Sequence, residues 1–181
     1  KAEHGSFLTI NYNVINDFEE RGINFYSSEN STVNYNRIIS HNWSGGWKQG
    51  IGNWDGSQNA IVKYNYVEVI DSSGNGRGVG IEVHGSEIKF DTVIVKSISA
   101  CCDPHTYGII ADESDIEDNY IDWMASDCWC YDNYYAVRSN GSVNTRSSIK
   151  NNNINFQTNG LLGSSVITGN YADIENNYIS G

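Results

Sequence analysis

Apolar and polar positions repeat along this chain in one short pattern: an aliphatic residue, two positions, Asn or Asp, one position, and a second aliphatic residue. It runs through Ile10-Asn11-Tyr12-Asn13-Val14-Ile15, Val33-Asn34-Tyr35-Asn36-Arg37-Ile38 and Val62-Lys63-Tyr64-Asn65-Tyr66-Val67. It continues through Ile88-Lys89-Phe90-Asp91-Thr92-Val93 and Ile116-Glu117-Asp118-Asn119-Tyr120-Ile121. Ile149-Lys150-Asn151-Asn152-Asn153-Ile154 and Ile174-Glu175-Asn176-Asn177-Tyr178-Ile179 complete it. A Gly followed by an aliphatic strand precedes most copies: Gly22-Ile23, Gly50-Ile51, Gly80-Ile81, Gly108-Ile109 and Gly160-Leu161, with Ala136-Val137 in the same place once. Each unit therefore predicts a strand, a short turn, a second strand, a bend carrying Asn, a third strand and a variable loop. The copies follow one another at about 23 to about 33 residues, a spacing that fits stacked units which bury their apolar faces only against each other.

On these repeats the chain resembles the right-handed parallel β-helix proteins of the pectin-lyase-like superfamily, from about Phe7 to Gly181. The resemblance implies an all-β fold, a right-handed parallel β-helix (solenoid) of about seven coils. It also implies a stacked ladder at the bend, which places Asn13, Asn36, Asn65, Asp91, Asn119, Asn152 and Asn177 in one row. A side-chain amide both donates and accepts, so stacked amides satisfy backbone groups at a tight bend and bond to the next rung. A carboxylate at Asp91 breaks that pattern and needs donors or a raised pKa. With rungs about 4.8 Å apart, the rod is on the order of 30–35 Å long.

Composition supports this fold over a helical one. Gly (18) and Asn (24) are abundant and charged residues make up only 18 %; Asn and Gly are poor helix formers and good turn formers. The 181 residues suit one domain, 1–181. A start at Lys1 and an end just after a repeat strand read as a fragment or processed piece of a larger chain, whose open ends expose unpaired backbone groups for self-association. The formal net charge of −11 argues against nucleic acid as a partner. No apolar run reaches the roughly 18 residues of a membrane span, so insertion is not expected.

Strand alternation points the second residue after each Gly outward. The outward set forms a polar and aromatic stripe that includes Tyr26, Trp54, Glu82, His84, Asp112, Arg138 and Asn140. The resemblance makes such a stripe the place where glycans lie in polysaccharide-active enzymes and tailspikes. Glu82 and Asp112 would have Cα atoms roughly 8 Å apart, within reach of the paired carboxyl groups that hydrolyse glycosides. His84 as proton-transfer base, with Arg138 neutralising a sugar carboxylate, would instead suit a lyase or epimerase. Few basic groups favour the hydrolase. Tyr26, Trp54 and Asn140 are the candidate substrate contacts. Asp103-Pro104-His105 is similar to the active-site tripeptide of alginate C5-epimerases, although Tyr107-Gly108 follow it here rather than precede it.

The remaining features concern setting and cofactors. Cys101, Cys102, Cys128 and Cys130 lack zinc spacing and can form two disulfides. With the sequons at Asn30, Asn42 and Asn140 they indicate an extracellular or cell-surface protein. Five carboxylates between Asp112 and Asp118 are a possible Ca²⁺ edge, but alternation splits them between faces; no other cofactor is expected. Tryptophan-rich loops around Trp43, Trp47 and Trp54, and around Trp123 and Trp129, serve either sugar stacking or satellite cores. The leading expectation is cleavage of glycosidic bonds in a microbial polysaccharide by a disaggregatase-like or tailspike-like protein. The alternatives are a cell-surface or adhesin filament unit stacking head to tail, and a glycan-binding module without turnover.

Overall fold

The computed structural model describes residues 2–3, 7–26, 28–41, 46–54, 59–72, 76–97, 106–125, 134–158 and 164–181. The four cysteines, Asn42 and the Asp103-Pro104-His105 segment lie outside the described residues. Every strand among the described residues belongs to one of three seven-stranded parallel sheets, so the chain is an all-β parallel solenoid. Each repeat contributes one strand to each sheet, in the order of the sequence.

Sheet A holds the Gly-aliphatic strands, including Arg21–Tyr26, Gly46–Trp54, Gly76–His84, Thr106–Asp112 and Tyr134–Arg138. Sheet B holds the strands before the bend, such as Ile61–Lys63 and Glu87–Lys89. Sheet C holds those after it, such as Tyr66–Asp71 and Tyr120–Ala125. Identical apolar positions pair across the rungs: Ile23 with Ile51, Ile51 with Ile81, Ile81 with Ile109 and Ile109 with Val137 in sheet A. Val33, Val62, Ile88, Ile116 and Ile149 do the same in sheet B, and Ile38, Val67, Val93, Ile121 and Ile154 in sheet C. All of these side chains are buried in one continuous core. Trp123 is part of it, fully buried, stacked on Phe156 at 4.5 Å and donating its indole N–H to the Thr106 carbonyl at 3.0 Å. Trp123 therefore belongs to the core and does not face a sugar.

The bend between sheets B and C is the tightest feature of each rung. Tyr12, Tyr35, Tyr64, Phe90, Asp118, Asn151 and Asn176 all have φ between 54° and 60°, the left-handed region that costs an L-residue roughly 1–2 kcal/mol. The next residue is in each case a ladder residue. Asn13 Nδ2 donates to Asn36 Oδ1 (2.9 Å), Asn36 to Asn65 (3.0 Å) and Asn65 to Asp91 Oδ1 (3.0 Å). Asn119 donates to Asn152 (3.0 Å) and Asn152 to Asn177 (2.9 Å). The backbone N–H groups follow the same rule, and that of Asp91 donates to Asn119 Oδ1 at 2.9 Å. Asp91 thus accepts from the rung before it, and the chain of side-chain hydrogen bonds is interrupted between Asp91 and Asn119. Outside the ladder, the rings of Tyr12, Tyr35, Tyr64 and Phe90 stack in sequence at 5.0–5.2 Å.

The glycines of the Gly-aliphatic pairs lie within the sheet A strands, where this sheet approaches sheet C. A Cβ on Gly80 would fall 2.4 Å from Val93 Cγ1 and 2.6 Å from the Gly108 carbonyl oxygen. Gly80→Ala is therefore expected to destabilise the fold by about 1–3 kcal/mol, the usual cost of overpacking, as read by chemical denaturation. An unchanged midpoint would show that the sheets can part there freely.

Candidate functional site

The outer face of sheet A carries the candidate chemistry. Glu82 pairs in register with Gly52 on one side and Ile110 on the other, and Ile110 pairs with Arg138. One row further along, His84 pairs with Asp112. Glu82, His84, Asp112 and Arg138 thus share one face over three rungs, because parallel pairing in a single register keeps equal strand positions aligned. Glu82 and Asp112 stand one rung and two residues apart, roughly 8 Å between Cα atoms.

Glu82 is the most heavily constrained of the four. It is half-buried, and the fully buried Gln49 donates from Nε2 to its Oε2 at 2.6 Å. Burial pushes its carboxyl above the ordinary carboxylate range, against the hydrogen bond from Gln49 and the guanidiniums of Arg21 and Arg138; the carboxylate of Asp112 adds to the rise. Gly52 makes the arrangement possible. A Cβ there would lie 2.1 Å from Gln49 Oε1 and 2.4 Å from its Cδ, so only glycine leaves room for Gln49 to cross to Glu82.

The other candidates are held less directly. Asp112 Oδ1 accepts the backbone N–H of Asn140 at 3.0 Å. The main chain of His84 is clamped by the Asn53 side chain, which accepts the His84 N–H at 2.9 Å, and the His84 ring nitrogen Nε2 lies 3.8 Å from Glu113 Oε2. Arg138 makes no ion pair or hydrogen bond from its side chain among the described residues. Tyr26 pairs with Trp54 in register, and of Trp54 only the backbone is described. Tyr107 and Tyr135 stack at 6.1 Å on the same sheet. An open cleft of about 490 Å³, lined by Glu19, Glu20, Arg21, Gly22 and Asn24, adjoins the sheet at Asn24, which pairs with Gly52.

The other sequence candidates are dispersed. Asn30 is exposed, as a sequon asparagine must be. The carboxylates between Asp112 and Asp118 do not converge: Glu117 pairs with Lys89 at 2.9 Å, Asp118 is exposed, and no three acidic, His or Cys side chains form a metal-holding group among the described residues. Sequence reasoning missed Gln49 and Gly52, since neither residue type signals chemistry alone. It also missed a cluster on sheet C, where His41 Nε2 lies 2.5 Å from Glu68 Oε1 and the Tyr66 hydroxyl donates to the same carboxylate. Burial and that hydrogen bond push the Tyr66 phenol up to about 12. Tyr66 and Glu68 sit two apart on one strand and His41 on its neighbour; Tyr66 fills an unspecified position of the repeat motif, and the other two lie beyond it.

No protein-family model, curated protein or solved structure matches this chain. The parallel β-solenoid is established by its own geometry.

Removing the Gln49 donor tests the electrostatics. Gln49→Leu should move the Glu82 titration to higher pH, because the hydrogen bond favours the charged carboxylate. Carboxyl ¹³C shifts of Glu82 against pH would read this. A midpoint that stays or falls would contradict the assignment.

Proposed function

We propose that the outer face of sheet A binds and cleaves a polysaccharide outside the cell, in a β-solenoid of the pectin-lyase-like kind. The observation that carries this reading is Glu82: a half-buried carboxyl, oriented by Gln49 and raised above its ordinary range, on the same face as Asp112. A raised carboxyl retains its proton to higher pH, which is what a general acid needs. Glu82 would protonate the glycosidic oxygen as the C–O bond breaks, and Asp112 would act on the other side, as base toward water or as nucleophile. Glycosidase carboxyl pairs stand about 5 to 9.5 Å apart, and the register of Glu82 and Asp112 is compatible with that range. The stacked rings of Tyr107 and Tyr135 offer apolar surface to sugar C–H groups beside them. Arg138 supports a second reading. A guanidinium with no side-chain partner among the described residues could take a sugar carboxylate, with His84 as base for β-elimination.

The test is a depolymerisation screen over neutral and acidic microbial polysaccharides, reading reducing ends and unsaturated uronates separately. The hydrolase reading predicts new reducing ends without unsaturation. It also predicts a loss of at least 100-fold in turnover for Glu82→Gln with binding kept, the scale of a missing general acid. Unsaturated products lost in His84→Ala would replace it with the lyase reading. Binding without turnover across the screen would leave a glycan-binding module.

A further inference from the structure

We infer that Asp91 is a neutral carboxylic acid in the folded protein, and that its ionisation on raising the pH is a release built into the middle of the asparagine ladder. Asp91 is the fourth of the seven ladder residues and 1 % exposed. Its Oδ1 takes the role of an asparagine oxygen, accepting the Asn65 N–H at 2.6 Å and Asn65 Nδ2 at 3.0 Å. Its second oxygen stands where the other rungs carry an amide nitrogen, which always donates. Asn65 Nδ2 donates back to the Val33 carbonyl, Asn119 Nδ2 to Ile88 and Asn152 Nδ2 to Ile116, besides reaching the next rung. Asp91 Oδ2 is buried and has no hydrogen-bond partner among the described residues. A bare oxygen in a place lined by acceptors is repelled; a protonated one supplies the missing donor.

The surroundings offer Asp91 no directly paired charge, only the field of Lys63. Lys63, two residues before Asn65, and Lys89, two before Asp91, both turn outward to Glu87 at 2.9 and 2.8 Å, and Lys89 also reaches Glu117. Next to Asn119, Glu117 is engaged by Lys89 and Ser148, and Asp118 is exposed. Tyr64 and Phe90 stack outside the ladder, and Val62, Ile88 and Ile116 close it from the core. Burial holds the Asp91 carboxyl well above the ordinary range, outweighing the bonds from Asn65 and the field of Lys63.

The sign follows from linkage. A raised folded-state value means that the folded protein keeps a proton which the unfolded chain releases near 3.8. The Asp91 contribution is complete below that pH and is lost as pH rises toward the folded value, up to tenfold in the folding constant per pH unit. Above it the charged Oδ2 has no donor, and the ladder is broken between Asp91 and Asn119 into runs of four and three.

The experiment measures unfolding equilibria from pH 5 to 9 for the wild type, Asp91→Asn, and Asp91→Asn combined with Asn119→Asp, together with the Asp91 carboxyl ¹³C titration. Asp91→Asn restores the amide of the other rungs and should fold. The wild-type folding constant relative to Asp91→Asn should fall with rising pH, and the double variant should regain that slope. Asp91 should not titrate in the ordinary carboxylate range. A ratio that stays flat or rises with pH, or an Asp91 titration near 4, would overturn the inference.

Discussion

The structure depends on how the chain turns the corner between sheets B and C. Each rung must place one residue in the left-handed region and then leave backbone groups without strand partners. The asparagine that follows resolves both problems: its oxygen accepts from the previous rung's backbone and side chain, and its nitrogen reaches a carbonyl one rung back and the next amide. This ties neighbouring corners in one register. A slip would leave buried amides without partners, at about 1–3 kcal/mol each. The register of the outer faces follows from that lock, which is why Glu82, His84, Asp112 and Arg138 share one surface although they span 57 positions in sequence.

The residues in the left-handed position divide by repeat. Four rungs carry stacked aromatic rings, whose mutual contact, worth about 0.5–1.5 kcal/mol per pair, offsets the backbone cost. The later ones carry Asp118, Asn151 and Asn176, types that tolerate this conformation through local hydrogen bonds. One steric demand is thus met by two side-chain chemistries along the same rod.

Much of the fold was readable from the sequence because its determinants are periodic. The aliphatic pairs around each Asn predicted the sheet B and C strands, and the Gly-aliphatic pairs predicted sheet A; the ladder of Asn13 through Asn177 is in place. Trp123 was ambiguous, since an indole in a loop-rich segment can face either way, and the core took it. The site was less readable. Glu82 and Asp112 could be put on one face by alternation alone, but the grip of Gln49 on Glu82 depends on the absence of a side chain at Gly52, which pairs in register with Glu82 from the neighbouring strand. A glycine conveys that only when the neighbouring rung is known. The sheet C cluster of His41, Tyr66 and Glu68 escaped for a similar reason: its members meet across strands at positions where the repeat imposes no residue type.

On the proposed function, the outer face of sheet A, and no other surface of the solenoid, receives a glycan. Amide chemical-shift mapping with oligosaccharides cut from whichever polysaccharide the protein retains would address it most directly. Perturbations are expected to concentrate at Gly52, Glu82, His84, Ile110, Asp112 and Arg138. Perturbations centred on the Tyr12–Phe90 ring stack or on sheet C, with those six residues unmoved, would contradict it.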